Sequence, residues 1–168
     1  HWSMLIIVLR HLRFFLEPVP GAIMALEGAD AFFQIGLPAL YLTDLLIVSA
    51  LTFLFVRRVV IPRVRYLSLP NDFFPLFLLL GVVIAGIAMR YFFRVDIEGV
   101  KEVAMGLVTL HPVVVAGIGP IFYVHLFLAS VLIGYFPWSK LMHAGGIVLS
   151  PTRNQANDSR AVRHVNPW

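Results

Sequence analysis

Residues 125–143 read HLFLASVLIGYFPWSKLMH, an apolar run closed at each end by a histidine. Eighteen residues separate the two imidazoles, five whole turns of helix, so His125 and His143 point the same way about 27 Å apart. Residues 1–11, HWSMLIIVLRH, repeat the pattern over a ten-residue step, about 15 Å. Pro137 in the longer run is a site for a kink that would shorten the larger separation.

The chain around these runs has 168 residues, 60% apolar, 13% charged and 13% aromatic, with a mean hydropathy of +0.87. Soluble domains have about 45–50% apolar and about 25% charged residues, so the composition is that of a membrane protein. Thirteen Lys+Arg against nine Asp+Glu give +4. On so apolar a chain this excess reads as membrane topology and sets nucleic acid aside. The absence of cysteine excludes disulfides, thiolate-held iron–sulfur clusters and covalently attached haem. Any redox centre must be held by the six histidines.

An all-α transmembrane bundle with four spans is expected. Helix A covers Trp2 to Leu16, short of the roughly 20 residues a span needs. With His1 at its head and no signal-peptide pattern, it reads as a truncated span. Glu17 to Gln34, with Pro18, Pro20, Gly21, Gly28, Glu27 and Asp30, reads as an exposed loop. Helix B is expected over Leu37 to Val56, ending at Arg57 and Arg58, and helix C over Phe73 to Phe93. Between them, IPRVRYLSLPND reads as a short basic turn. Pro112 and Pro120 divide the next apolar stretch into a short interfacial helix, Ile97 to Leu110, and helix D from Pro120 to His143. Residues 1–149 would form the bundle and 150–168 a polar, basic tail.

Alternating crossings place the start of helix A, the B–C turn and the tail on one side, here the lower. It holds Arg57, Arg58, Arg63, Arg65, Lys140, Arg153, Arg160 and Arg163, against Arg10, Arg13, Arg90, Arg94 and Lys101 towards the upper side. The bias makes the lower side cytoplasmic.

Helices A and D run antiparallel in this scheme, which sets His11 level with His125 above and His1 level with His143 below. A lone intramembrane histidine most simply makes an interhelical hydrogen bond. Two matched pairs instead suit two non-covalent b haems, His11/His125 and His1/His143, with an imidazole on each side of the iron. Ala116, Gly117, Gly119, Ala129 and Ser130 would admit a flat macrocycle or simply let helices pack closely. Arg10, Arg13, Arg90 and Arg94 could pair haem propionates or snorkel to the interface. Asp44, an acid two turns inside helix B, could accept a proton from a quinol or pair with an upper arginine. His111, beside Pro112, could contact a quinone or cap a turn, and His164 has no partner visible in sequence.

The two histidine runs, with FPWSKLMH closing the second and RRVVIPRVR between helices B and C, resemble the nitrate reductase gamma subunit-like dihaem cytochrome b superfamily. The spacing combined with F-P-x-S-K/R-L-x-H is specific, and the likeness spans most of the chain. Within that superfamily the tail SPTRNQANDSRAVRHVNPW is more similar to the DsrM-type cytochrome b subunits of the membrane complex associated with dissimilatory sulfite reductase. The resemblance implies an electron-transfer subunit of a quinone-linked oxidoreductase complex in the inner (cytoplasmic) membrane. It implies menaquinone as the quinone and a cytoplasmic iron–sulfur partner similar to heterodisulfide reductase. Other membrane and periplasmic subunits of the same complex are implied as neighbours. A nitrate reductase gamma-type or heterodisulfide reductase-type cytochrome b is the nearest alternative. A haem-free membrane anchor or transporter fragment is the alternative of another class.

Overall fold

The computed structural model describes residues 1–31 and 40–149, and all regular structure among them is helical. Helix α1, Trp2–His11, continues as a 3-10 turn over Leu12–Phe14. Next come α2, Gly21–Asp30, and α3, Leu42–Val60. The short α4, Pro62–Leu67, leads to α5, Pro70–Tyr91. After α6, Ile97–Val108, the chain enters α7, Pro120–Tyr135. Two 3-10 turns, Phe136–Trp138 and Lys140–Met142, precede α8, His143–Leu149.

Local chemistry sets these starts. Proline occupies the first turn of α4, α5 and α7, where its missing N–H costs nothing and its fixed φ suits the helix. Asp96 caps α6, accepting from the amides of Glu98 and Gly99 at 3.2 and 3.1 Å. Arg57 and Arg58 lie in the last turn of α3 rather than beyond it, where cations favour the carbonyl end of the helix dipole.

The long helices pack in a row, α1 on α3, α3 on α5 and α5 on α7. Ile47 and Leu51 of α3 and Leu76 of α5 form the buried centre, with Met4 and Ile7 of α1 packed against it. Leu128 of α7 lies against Gly81 of α5, and Tyr135 meets Phe74 edge-on at 4.8 Å. Large apolar side chains cover the outside, among them Phe53, Phe77, Ile84, Phe127 and Ile133. So much exposed apolar surface suits a lipid-facing exterior.

Several expectations are corrected. The stretch read as a loop from Glu17 contains α2, because Asp30 at its end is not in open solvent: Arg10 and Thr43 satisfy its carboxylate inside the fold. The B–C turn carries the short helix α4. Helix B, described from Leu42, ends later than expected, stopped where Ile61 turns extended before Pro62, while its expected start at Leu37 lies outside the described residues. Helix D breaks after Tyr135 instead of running to His143. Among the described residues two helices are long and apolar enough to cross a membrane, Pro70–Tyr91 and Pro120–Trp138. Helix α1 has 10 residues, and the 19 residues of α3 include Asp44, Arg57 and Arg58. The tail from residue 150, with His164, and Gln34 lie outside the described residues.

Candidate functional site

Helices α1 and α7 do not pack closely; they meet through their histidines. His11 and His125 stack with ring centroids 6.2 Å apart and planes 12° from parallel. At the other end His1 and His143 are 5.8 Å apart, edge to face, with Nε2 to Nε2 at 3.5 Å. The low-numbered end of α1 therefore faces the high-numbered end of the α7 segment, as antiparallel neighbours require.

Three of these rings are fixed through Nδ1. His11 Nδ1 bonds Ile7 O at 2.7 Å, His125 Nδ1 bonds Val82 O at 2.9 Å and His143 Nδ1 bonds Lys140 O at 2.6 Å. A carbonyl only accepts, so Nδ1 is the donor in each bond. A neutral ring then keeps its lone pair on Nε2, the tautomer a metal ligand needs. Gly86 lets the His125 ring lie close to α5: a Cβ there would sit 3.3 Å from His125 Cε1.

The donor set suits haem better than a bare ion. Imidazoles on opposite sides of one metal put their nitrogens about 4 Å apart, close to the His1–His143 spacing. No cluster of three or more histidine or acidic ligands occurs among the described residues. Two imidazoles per site are half of a zinc shell, whereas the same two would suffice to hold a haem.

Beside the His11–His125 pair lies a compact charged cluster. Tyr41, 5% exposed, carries the guanidinium groups of Arg10 and Arg90 over its ring, each 3.5 Å from the centroid. Arg10 donates to Asp30 at 2.6 Å and to Thr43 Oγ1 at 3.0 Å, and lies 3.6 Å from Asp44. The Tyr91 hydroxyl accepts from the Tyr41 amide and donates to Asp44, both at 3.0 Å. The Nε atoms of Arg10 and Arg90 are buried without a hydrogen-bond partner among the described residues. Two buried donors left over at this end are what an added anionic group would use.

Other candidate residues lie outside this cluster. Arg13 is paired to Glu27 at 2.7 Å, Lys101 to Glu17, and Arg94 is exposed after α5. His111 is exposed and bonds Thr109 O at 2.8 Å, where the chain turns after α6. Gly117 takes φ +89° in the loop before α7, a backbone shape suited to glycine.

The nitrate reductase gamma subunit family model matches residues 1–155. The chain belongs to that family. Over its whole length it is 53% identical to a protein of Archaeoglobus fulgidus named Hdr-like menaquinol oxidoreductase cytochrome b-like subunit, of which it covers 52%. It is 40% identical to the protein of the same name from Archaeoglobus profundus, of which it covers 51%. The chain thus spans about half the length of the curated relatives it matches. No solved structure matches it.

For this member of the gamma family, sequence reasoning singled out the four histidines that the fold brings into pairs, but missed Tyr41, Thr43, Gly86 and Tyr91. It took Asp30 for a loop acid. A glycine within the long apolar run of α5 was a usable signal for close approach; the tyrosine stacking has no local signature.

Proposed function

We propose that this chain is a quinone-linked membrane cytochrome b subunit, holding one b haem between His11 and His125 and a second between His1 and His143. The observation that carries the reading is the set of Nδ1-to-carbonyl bonds of His11, His125 and His143, which leaves the lone pair of each of these rings on Nε2, with the His1 ring set against His143. Bound there, two haems would relay electrons one at a time between menaquinol on the upper side and a cytoplasmic iron–sulfur protein similar to heterodisulfide reductase on the lower. The names of the Archaeoglobus relatives favour menaquinol as donor, and the resemblance of the tail favours dissimilatory sulfur metabolism. Four spans, with α1 and α3 joining the two longer apolar helices, and the inner membrane as location belong to the same reading.

The chain's own residues have distinct tasks. Arg10 and Arg90, with spare Nε donors, are placed to hold propionates at the upper end. Arg13 and Arg94 could assist from the helix ends. Asp44, 14% exposed in its side chain and already accepting from the Tyr91 hydroxyl, is placed to take a proton that quinol must lose. His111, exposed near the same end, is the candidate contact for the quinone ring.

Reduced-minus-oxidised spectra and a pyridine haemochrome assay on the purified protein test this reading. Two non-covalent b haems per chain are expected. A protein without b-type bands would overturn it and favour the haem-free anchor.

A further inference from the structure

Asp72 is an acid in the first turn of α5, 4% exposed, that the electron-transfer reading leaves without a task. Its Oδ2 accepts the Leu69 amide at 3.0 Å and lies 3.9 Å from Arg58. Its Oδ1 holds the ammonium of Lys140 at 2.5 Å. Lys140 belongs to the 3-10 turn before α8, and its carbonyl accepts from His143 Nδ1 at 2.6 Å. One residue therefore joins a buried carboxylate on α5 to a candidate iron ligand, its side chain held at one end and its carbonyl at the other.

Among the described residues the other side-chain hydrogen bonds of this segment are local, although Ser139 itself is buried. Ser139 Oγ accepts the Leu141 amide at 3.1 Å and donates to Phe136 O at 2.8 Å, both within the segment itself. Those bonds shape the turn but do not fix it to the bundle. The Lys140–Asp72 pair does, and the burial of Asp72 gives the pair a fixed end from which the Lys140 carbonyl is set. We infer that Asp72 is a positioning residue for His143, acting through Lys140 to aim His143 Nε2 at His1.

This rests on the haem reading for one of its two measurements and stands apart from it in the other. Amide hydrogen exchange in the membrane-embedded chain reads the turn directly. Lys140→Met and Asp72→Asn should each speed exchange at Leu141, Met142 and His143 about tenfold or more, and Lys140→Arg should restore protection. Asn at 72 can still accept from Leu69, so α5 keeps its cap. In haem-loaded protein, both variants should weaken retention of the haem that is lost on His143 replacement, about 10–100-fold. They should also shift its low-spin electron paramagnetic resonance signal, leaving the His11–His125 haem unaltered. Unchanged exchange, equal damage to both haems, or faster exchange with an unaltered haem signal would overturn the inference. Unsubstituted protein without haem would refute the proposed function, and the exchange result would then decide this inference alone.

Discussion

Gly86 stands where a methyl group would press on a candidate ligand ring. A Cβ there would lie 3.3 Å from His125 Cε1 and 3.6 Å from Nδ1, the atom that donates to Val82 O one turn earlier. Alanine is worth about 1 kcal/mol over glycine within a helix, so Gly86→Ala should hold or raise the thermal midpoint. It should nonetheless shift the low-spin signal and midpoint potential of the His125 haem, because the ring must move by a few tenths of an ångström. A stability gain with an unaltered haem would refute that steric role. Asp44 makes the opposite case. Asp44→Asn still accepts from Tyr91, and Arg10 keeps Asp30, so both haem spectra should persist. Quinol-driven haem reduction should slow on the order of 10²-fold if the carboxylate takes the proton, and equal kinetics would remove it from that role. The difference in legibility between these residues is physical. Spacing along a helix fixes direction by arithmetic, which serves for His1 and His11; His143 meets His1 only because the chain leaves the helix between Tyr135 and His143. Tyr41 lies between Arg10 and Arg90, far apart in the chain, and nothing local in the sequence announces such a meeting.

Helix α7 shows what an element can and cannot reveal. A straight helix would place His143 about 27 Å from His125, whereas the rise from His1 to His11 is about 15 Å. Both rings of α1 nevertheless meet their partners, at 5.8 and 6.2 Å between centroids. From His125 to Tyr135 the helix already accounts for about 15 Å, so residues 136–142 must run across the bundle axis rather than along it. Pro137 and the extended Ser139, ψ 163°, turn the chain there. Proline in the sequence signals a disturbance; the two 3-10 turns that reset the ligand's height depend on Ser139 capping and on Asp72 from another helix. Proline within a helix costs about 3 kcal/mol, so Pro137→Ala should convert the 3-10 turn Phe136–Trp138 to α-helix and let α7 run on past Ser139. Expected are loss of the His143 haem from optical spectra and unchanged or increased helical circular dichroism. Retention of both haems would mean that Ser139 makes the break without the proline. The reverse error concerns α2. Its acids and glycines read as solvent loop because the compensating Arg10 and Thr43 come from elements on either side of it.

At the scale of the whole molecule, the proposed function takes its sidedness from charge. Arg10 and Arg90 flank Tyr41 inside the fold, and Arg13 and Lys101 are committed to Glu27 and Glu17. Those upper cations are part of the bundle. Arg57, Arg58, Arg63 and Arg65 instead crowd the end of α3 and the short α4 that follows it, where the bias of basic residues towards the cytoplasm is felt most. The His1–His143 pair belongs to this same end, since Lys140 beside His143 shares Asp72 with Arg58. Tyr66, 89% exposed on α4, is the position at which to read the side, because cysteine there disturbs no contact that shapes the turn. Ser68 serves less well, since its hydroxyl takes the Arg58 guanidinium at 3.1 Å. In intact cells, Tyr66→Cys should resist a membrane-impermeant thiol reagent and become fully reactive once the membrane is opened. The native chain has no cysteine, so the signal comes from that one site in this chain. Labelling in intact cells would place the His1–His143 pair on the outer face. Quinol would then have to give up its electrons at the end nearer the cytoplasm, with the acceptor protein docking outside.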